Sequence, residues 1–126
     1  MRYEPADQAE AKLLGRIRKI CLALPGAREE IKWGHPNWVV GGKLFAGFGK
    51  EAGVLAVGLK TIPLRQAELV ARGPYVVAPY VGRYGWVSLP LRGRIPWREL
   101  EELLIESHRL VAPAKRIRRS PRRRSP

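Results

Sequence analysis

A chain of 126 residues that is 45% hydrophobic has the material for one compact domain and too little length for two ordinary ones, and that composition excludes a chain disordered throughout. Its formal charge of +13, from 24 Lys and Arg against 11 Asp and Glu, favours polyanionic partners held by counterion release. The start "MRYEPADQAEAK" lacks the apolar centre of a signal peptide, and no run approaches the roughly 18 apolar residues of a membrane span, so a cytoplasmic protein is expected.

From Ala6 to Leu24, Leu13, Leu14, Ile17, Ile20, Cys21 and Leu24 recur at three- and four-residue intervals, with Lys12, Arg16, Arg18 and Lys19 largely between them. This predicts one amphipathic helix with Asp7 and Glu10 near its start, ended by Pro25-Gly26. Cys21 is the single cysteine, so no intramolecular disulfide can form, and its place in the apolar stripe reads as a buried structural thiol.

The period then changes. "EEIKW", "NWVVGG", "KLFAGFG" and "AGVLAVGLK" are short β-branched and aromatic runs punctuated by Gly and Pro, and they predict an antiparallel meander. A two-residue turn at Gly41-Gly42 would set Val40 opposite Lys43, Val39 opposite Leu44 and Trp38 opposite Phe45, with Trp38, Val40, Lys43 and Phe45 on one face.

After Lys60, Thr61 can cap a short helix from Pro63 to Arg72 that buries Leu64, Ala67 and Val70 or Ala71 and stops at Gly73-Pro74. Two further strands follow in "YVVAPY" and "GWVSLPL", with Pro79 and Pro90 confined to strand ends or an edge because they lack the ladder donor. A last helix opens at Pro96 and runs to about Val111, with Trp97, Leu100, Leu103, Leu104 and Leu110 or Val111 as its inner stripe. The domain is therefore 1–113. The remaining 114–126, "AKRIRRSPRRRSP", holds seven cations and no acid, and is expected to be a disordered Arg-rich tail.

Five segments stand in a specific order: "LPGAREE" closing the first helix, "GHPNWVVGGKLFA", "VGLK" before the short helix, "PYVGRYGWVSL", and a final helix followed by "AP". On these the chain resembles the MmcQ/YjbR family of small prokaryotic proteins from about Leu14 to Pro113. The resemblance implies a CyaY-like α+β fold of the double-wing type: an antiparallel sheet with the N- and C-terminal helices packed on one face and a short helix between strands. It also implies DNA binding, the family's usual description. Some members carry a His before the tryptophan where this chain has Gly85 before Trp86, and the Arg-rich tail is not part of the family pattern.

The residues argue against catalysis. His35, His108 and Cys21 lie on three different elements, no nucleophile is spaced from a base, and "VGGKLFAGFG" lacks the phosphate-loop spacing, so neither an enzyme nor a cofactor is expected. The implied fold is similar to that of frataxin-like iron proteins, which use an acidic ridge on the first helix. Here that helix carries Lys12, Arg16, Arg18 and Lys19, which repel a metal cation.

Nucleic acid, DNA in the first place, fits better. Lys43 sits at one predicted turn, Arg83 and Tyr84 in another, and Lys32, Lys60, Arg92 and Arg94 flank the strands. Such loops would contact phosphate as two wings, with Tyr80, Tyr84 or Trp86 as a stacking face, joined by Lys115, Arg116, Arg118 and Arg119 of the tail. No predicted helix has a base-reading face, so the contacts should be mainly to the backbone. The four tryptophans are expected in the core or on the sheet and Tyr84 in solvent. The alternative is a protein- or small-ligand-binding module whose uncovered sheet face presents Trp38 and Phe45.

Overall fold

A computed structural model describes residues 2–113. The tail residues Lys115, Arg116, Arg118 and Arg119 lie outside the described residues. Three helices cover one face of a six-stranded antiparallel sheet.

The first helix, α1 (Gln8–Leu22), starts where the Asp7 carboxylate accepts the backbone N–H of Glu10 at 2.8 Å, and it buries Leu14, Ile17 and Cys21. Burial, with a smaller push from Glu29, raises the Cys21 thiol above its ordinary pKa and keeps it protonated. Strands β1 (Arg28–Lys32), β2 (His35–Val40), β3 (Lys43–Glu51) and β4 (Val54–Leu59) form the expected meander. Each hairpin closes through two residues at positive φ: Trp33-Gly34, Gly41-Gly42 and Ala52-Gly53. That geometry matches the twist of the flanking strands.

The predicted register holds for Val40 opposite Lys43 and Val39 opposite Leu44, then slips: Trp38 faces Ala46, not Phe45. A β-bulge lets the adjacent Phe45 and Ala46 both turn toward the core, which strict alternation forbids. From there the sheet alternates cleanly. Trp38, Ala46, Phe48, Val57, Leu59, Val87 and Leu89 point under the helices, while Asn37, Gly47, Gly49, Ala56, Gly58 and Ser88 occupy the other face.

Helix α2 (Pro63–Arg72) has Ile62 at its cap position, with no side-chain cap; Thr61 is buried instead. Its inner stripe meets expectation only at Val70, which packs partly buried against the core. Leu64 and Ala67 are exposed and Leu69 is fully buried, because the helix is oriented by Gln66, whose amide donates to the carbonyls of Gly82 (2.7 Å) and Trp86 (2.9 Å). Strand β5 (Val76–Val77) is only two residues long, β6 (Val87–Pro90) ends at a proline, and the sheet order is β1-β2-β3-β4-β6-β5.

The last helix, α3 (Trp97–Val111), buries Leu100, Leu103 and Leu104 and packs over β3, with Leu110 left outside and Val111 partly covered. Polar side chains fix the helices to the sheet and to each other. Arg18 of α1 forks onto Glu29 of β1 at 2.7 and 2.8 Å, and Glu29 also accepts the Trp38 indole N–H at 3.0 Å. Arg65 of α2 reaches Glu106 of α3 at 3.2 Å.

Glu99 of α3 accepts the Tyr75 hydroxyl at 2.8 Å and pairs with Arg72 at 2.9 Å, and these bonds, Tyr75 first, hold its carboxyl below the usual carboxylate range. A depressed folded-state pKa contributes stability above the unfolded value of about 4.3, and the contribution disappears as pH falls through the folded value. Glu99→Gln should therefore flatten the acid limb of stability. Urea midpoints measured from neutral pH down to about pH 3 test this. Parallel curves for the two proteins would show that Glu99 contributes nothing pH-dependent.

Candidate nucleic-acid interface

Strand direction decides which loops meet. Lys60 follows β4, the Pro79–Gly85 loop precedes β6, and the Gly41-Gly42 turn joins β2 to β3, so all three lie at the same end of the sheet. At that end the Lys60 backbone N–H donates to the Phe45 carbonyl at 3.1 Å and the Thr61 N–H to the Gly85 carbonyl at 3.2 Å. Gly85 is obligatory there. Its φ is +94, and a Cβ would stand 2.1 Å from the Thr61 carbonyl oxygen.

The loop is thus fastened from below by Gln66 and from the side by Thr61, and it displays a short 3-10 turn, Gly82–Tyr84, outward. Arg83 lies with its guanidinium 4.9 Å from the Tyr84 ring centroid, and Tyr84 is exposed as expected. Lys60 donates its ammonium to the Tyr84 carbonyl. Lys60, Arg83 and Tyr84 are therefore one cluster. Lys43 is exposed two residues before Phe45 on β3, at the same end.

The last described residue lies here too. A Cβ on Gly41 would be 2.6 Å from Cγ of Pro113, so the last described residue packs directly on the β2–β3 turn. Arg109, exposed in the last turn of α3, borders a hollow lined by Ile62 and Glu106 between α2 and α3.

Arg92 and Arg94 are elsewhere. They follow β6, whose last residue Pro90 pairs with Ala56, and the Leu91 N–H donates to the Leu55 carbonyl at 2.8 Å. This puts both at the opposite end of the sheet, beside the Ala52-Gly53 turn. Lys32 is also at that far end and pairs with Glu30 at 3.5 Å. The wing residues form two separate groups.

Among the described residues, Arg18, Arg28, Lys32, Arg65 and Arg72 pair with carboxylates, whereas Lys43, Lys60, Arg83, Arg92 and Arg94 do not. No three His, Cys, Asp or Glu of the described residues converge as metal ligands, and no helix among them is long and apolar enough to cross a membrane. The aromatics divide differently from expectation. Trp38 and Phe45 are fully buried on the helix-covered face, so neither is presented by the uncovered face, and Trp33 is 77% exposed at its hairpin turn. Their burial follows from the register: both belong to the set of side chains that the helices cover.

A solved structure of a Deinococcus radiodurans protein, DR2400, with a DUF419 domain, is similar at 27% identity over 75% of each chain, with a TM-score of 0.66. A Bacillus subtilis protein of the DUF1801 family, ydhG, shares the fold at 21% identity and a TM-score of 0.59, covering 83% of this chain and 82% of the other. No curated protein matches the chain. The sequence model of the YjbR family matches residues 22–110, from the end of α1 almost to the end of α3, and the chain belongs to that family.

Proposed function

We propose that the chain is a non-enzymatic, cytoplasmic nucleic-acid-binding protein, DNA being its first partner, that holds mainly the phosphate backbone. The observation that carries this reading is the convergence of Lys43, Lys60, Arg83 and the Pro113 exit at one end of the sheet, without carboxylates paired to those cations among the described residues. A rigid loop that holds cations outward suits phosphate, which is contacted for position more than for sequence. Arg92 and Arg94 would form a second, separate contact at the far end.

The test is a salt titration of duplex binding by fluorescence anisotropy for the full chain and for Lys43→Ala, Lys60→Ala, Arg83→Ala combined. Every phosphate that a removed cation had neutralised takes about 0.9 off the slope of log affinity against log salt, so the triple variant should bind with a slope smaller by about 2 to 3. An unchanged slope would return these residues to the solvated surface.

A second reading, a protein- or small-ligand-binding module using the uncovered sheet face, is favoured by the exposure of Trp33. It predicts a partner that protects Trp33 from a soluble quencher without competition from DNA.

A further inference from the structure

The sheet face away from the helices is paved with small residues, and most of that paving is already occupied. The His35 ring lies over Gly49, the Asn37 amide over Gly47 and the Trp86 ring beside Gly58. One part stays open. Between the end of β3, strands β4 and β6, and the edge strand β5 lies a trough of about 610 Å³, within the range of small-molecule sites.

Its floor is the methyl group of Ala56, and its apolar walls are Val54, Pro90 and Val76, all on the uncovered face by register. Glu51 crosses above β4 to accept the hydroxyl of fully buried Ser88 at 2.8 Å, which fixes a carboxylate inside the trough. Arg92 lines its rim and pairs with no carboxylate among the described residues.

Tyr80 completes it. The residue is 96% exposed at φ +66, in a reversal where the Val81 N–H donates to the Pro79 carbonyl at 2.7 Å. A bulky side chain in the left-handed region is an outlier, and such strain gathers at ligand sites. Here it holds an aromatic ring in water at the mouth of the trough, and no packing of that ring among the described residues accounts for it.

We infer that the trough takes a single nucleotide: Tyr80 stacks on the base, Arg92 holds its phosphate, and Glu51 accepts the exocyclic amine of cytosine or adenine. Base stacking on an exposed aromatic is tolerant of sequence, and a carboxylate selects a base that offers an N–H donor. A duplex hides the faces of its bases, so the trough serves an unpaired nucleotide, free or within a strand. This inference rests on the nucleic-acid reading above and extends it from phosphate to base.

The experiment uses the full chain with a 12-residue oligodeoxycytidylate and a duplex of equal length, at a salt concentration where both bind measurably. Tyr80→Gly suits the test because it removes an exposed ring and relieves positive φ, so the fold should survive. It should weaken the single strand about tenfold and leave the duplex within about twofold, whereas Tyr80→Trp keeps the single-strand affinity. With the Tyr80 dependence seen, displacement of the oligonucleotide by free deoxycytidine monophosphate assigns the site to a free nucleotide, and failure to displace assigns it to a base within a strand. Equal single-strand binding by Tyr80→Gly and the parent, with duplex binding intact, overturns the trough and leaves the phosphate reading standing. No binding of either nucleic acid by the parent chain overturns both.

Discussion

Deletion of residues 114–126 is expected to flatten the salt dependence of DNA binding by about 3 to 6 units, the largest change any single alteration should produce. Seven cations leave with that segment, and each one that neutralises a phosphate removes about 0.9 from the slope. A slope smaller by about 3 means that the affinity gap between the full and shortened chains widens roughly a thousandfold for each tenfold fall in salt. The body of the protein would still carry 17 Lys and Arg against 11 acids, so 1–113 should keep a weaker, salt-sensitive affinity at low ionic strength. If slopes of the two chains agree within one unit, the segment does not touch phosphate. If 1–113 binds nothing at low salt, the sheet loops are not a binding surface.

Gly85→Ala should be the most damaging single substitution in the loop that bears Arg83 and Tyr84. The new Cβ would sit 2.1 Å from the Thr61 oxygen and 2.8 Å from its carbonyl carbon, both backbone atoms that cannot swing aside. At φ +94 the residue would also carry the left-handed penalty of about 1–2 kcal/mol. With forced backbone shifts of about 1–3 kcal/mol added, a total near 3 kcal/mol corresponds to a fall in Tm of roughly 10–15 °C for a domain of this size. Differential scanning calorimetry measures it. A loss under about 2 °C would mean that the loop is free to move off Thr61, and with it the rigid display of Lys60, Arg83 and Tyr84.

Most of the architecture is legible in the sequence because each element's period agrees with its surroundings. The stripe through Leu14, Ile17 and Cys21 and the one through Leu100, Leu103 and Leu104 need no tertiary information to be assigned to helix. Where the reading failed, a tertiary partner outweighed the local pattern. Phe45 and Ala46 are adjacent and both apolar, so alternation alone could not reveal a bulge that buries the two together. Helix α2 was misoriented because the residue that fixes its inner face is polar: Gln66 turns inward to bond two loop carbonyls, and hydrophobicity points away from it. Trp33 looked like core by composition, yet it occupies a turn position that sends it outward.

The basic residues were legible singly and not as a constellation. Arg83 and Arg92 flank the same strand, β6, and residues on either side of a strand are necessarily at opposite ends of a sheet. Their separation was therefore available from the sequence. The pairing of β6 with β4 was not, since that neighbour is set by the crossover through α2 and β5.

The contact of Pro113 with Gly41 has a consequence for avidity. It anchors the origin of residues 114–126 within a short distance of Lys43, and thirteen residues reach at most about 45 Å from there in any conformation. On the proposed reading, once the loops hold one phosphate, every later encounter of that segment with the same polyanion would be intramolecular, at an effective concentration on the order of millimolar. Two weak surfaces sharing one anchor would then behave as a single bivalent ligand, whose retention depends on the length of nucleic acid within reach as much as on the charge of either part.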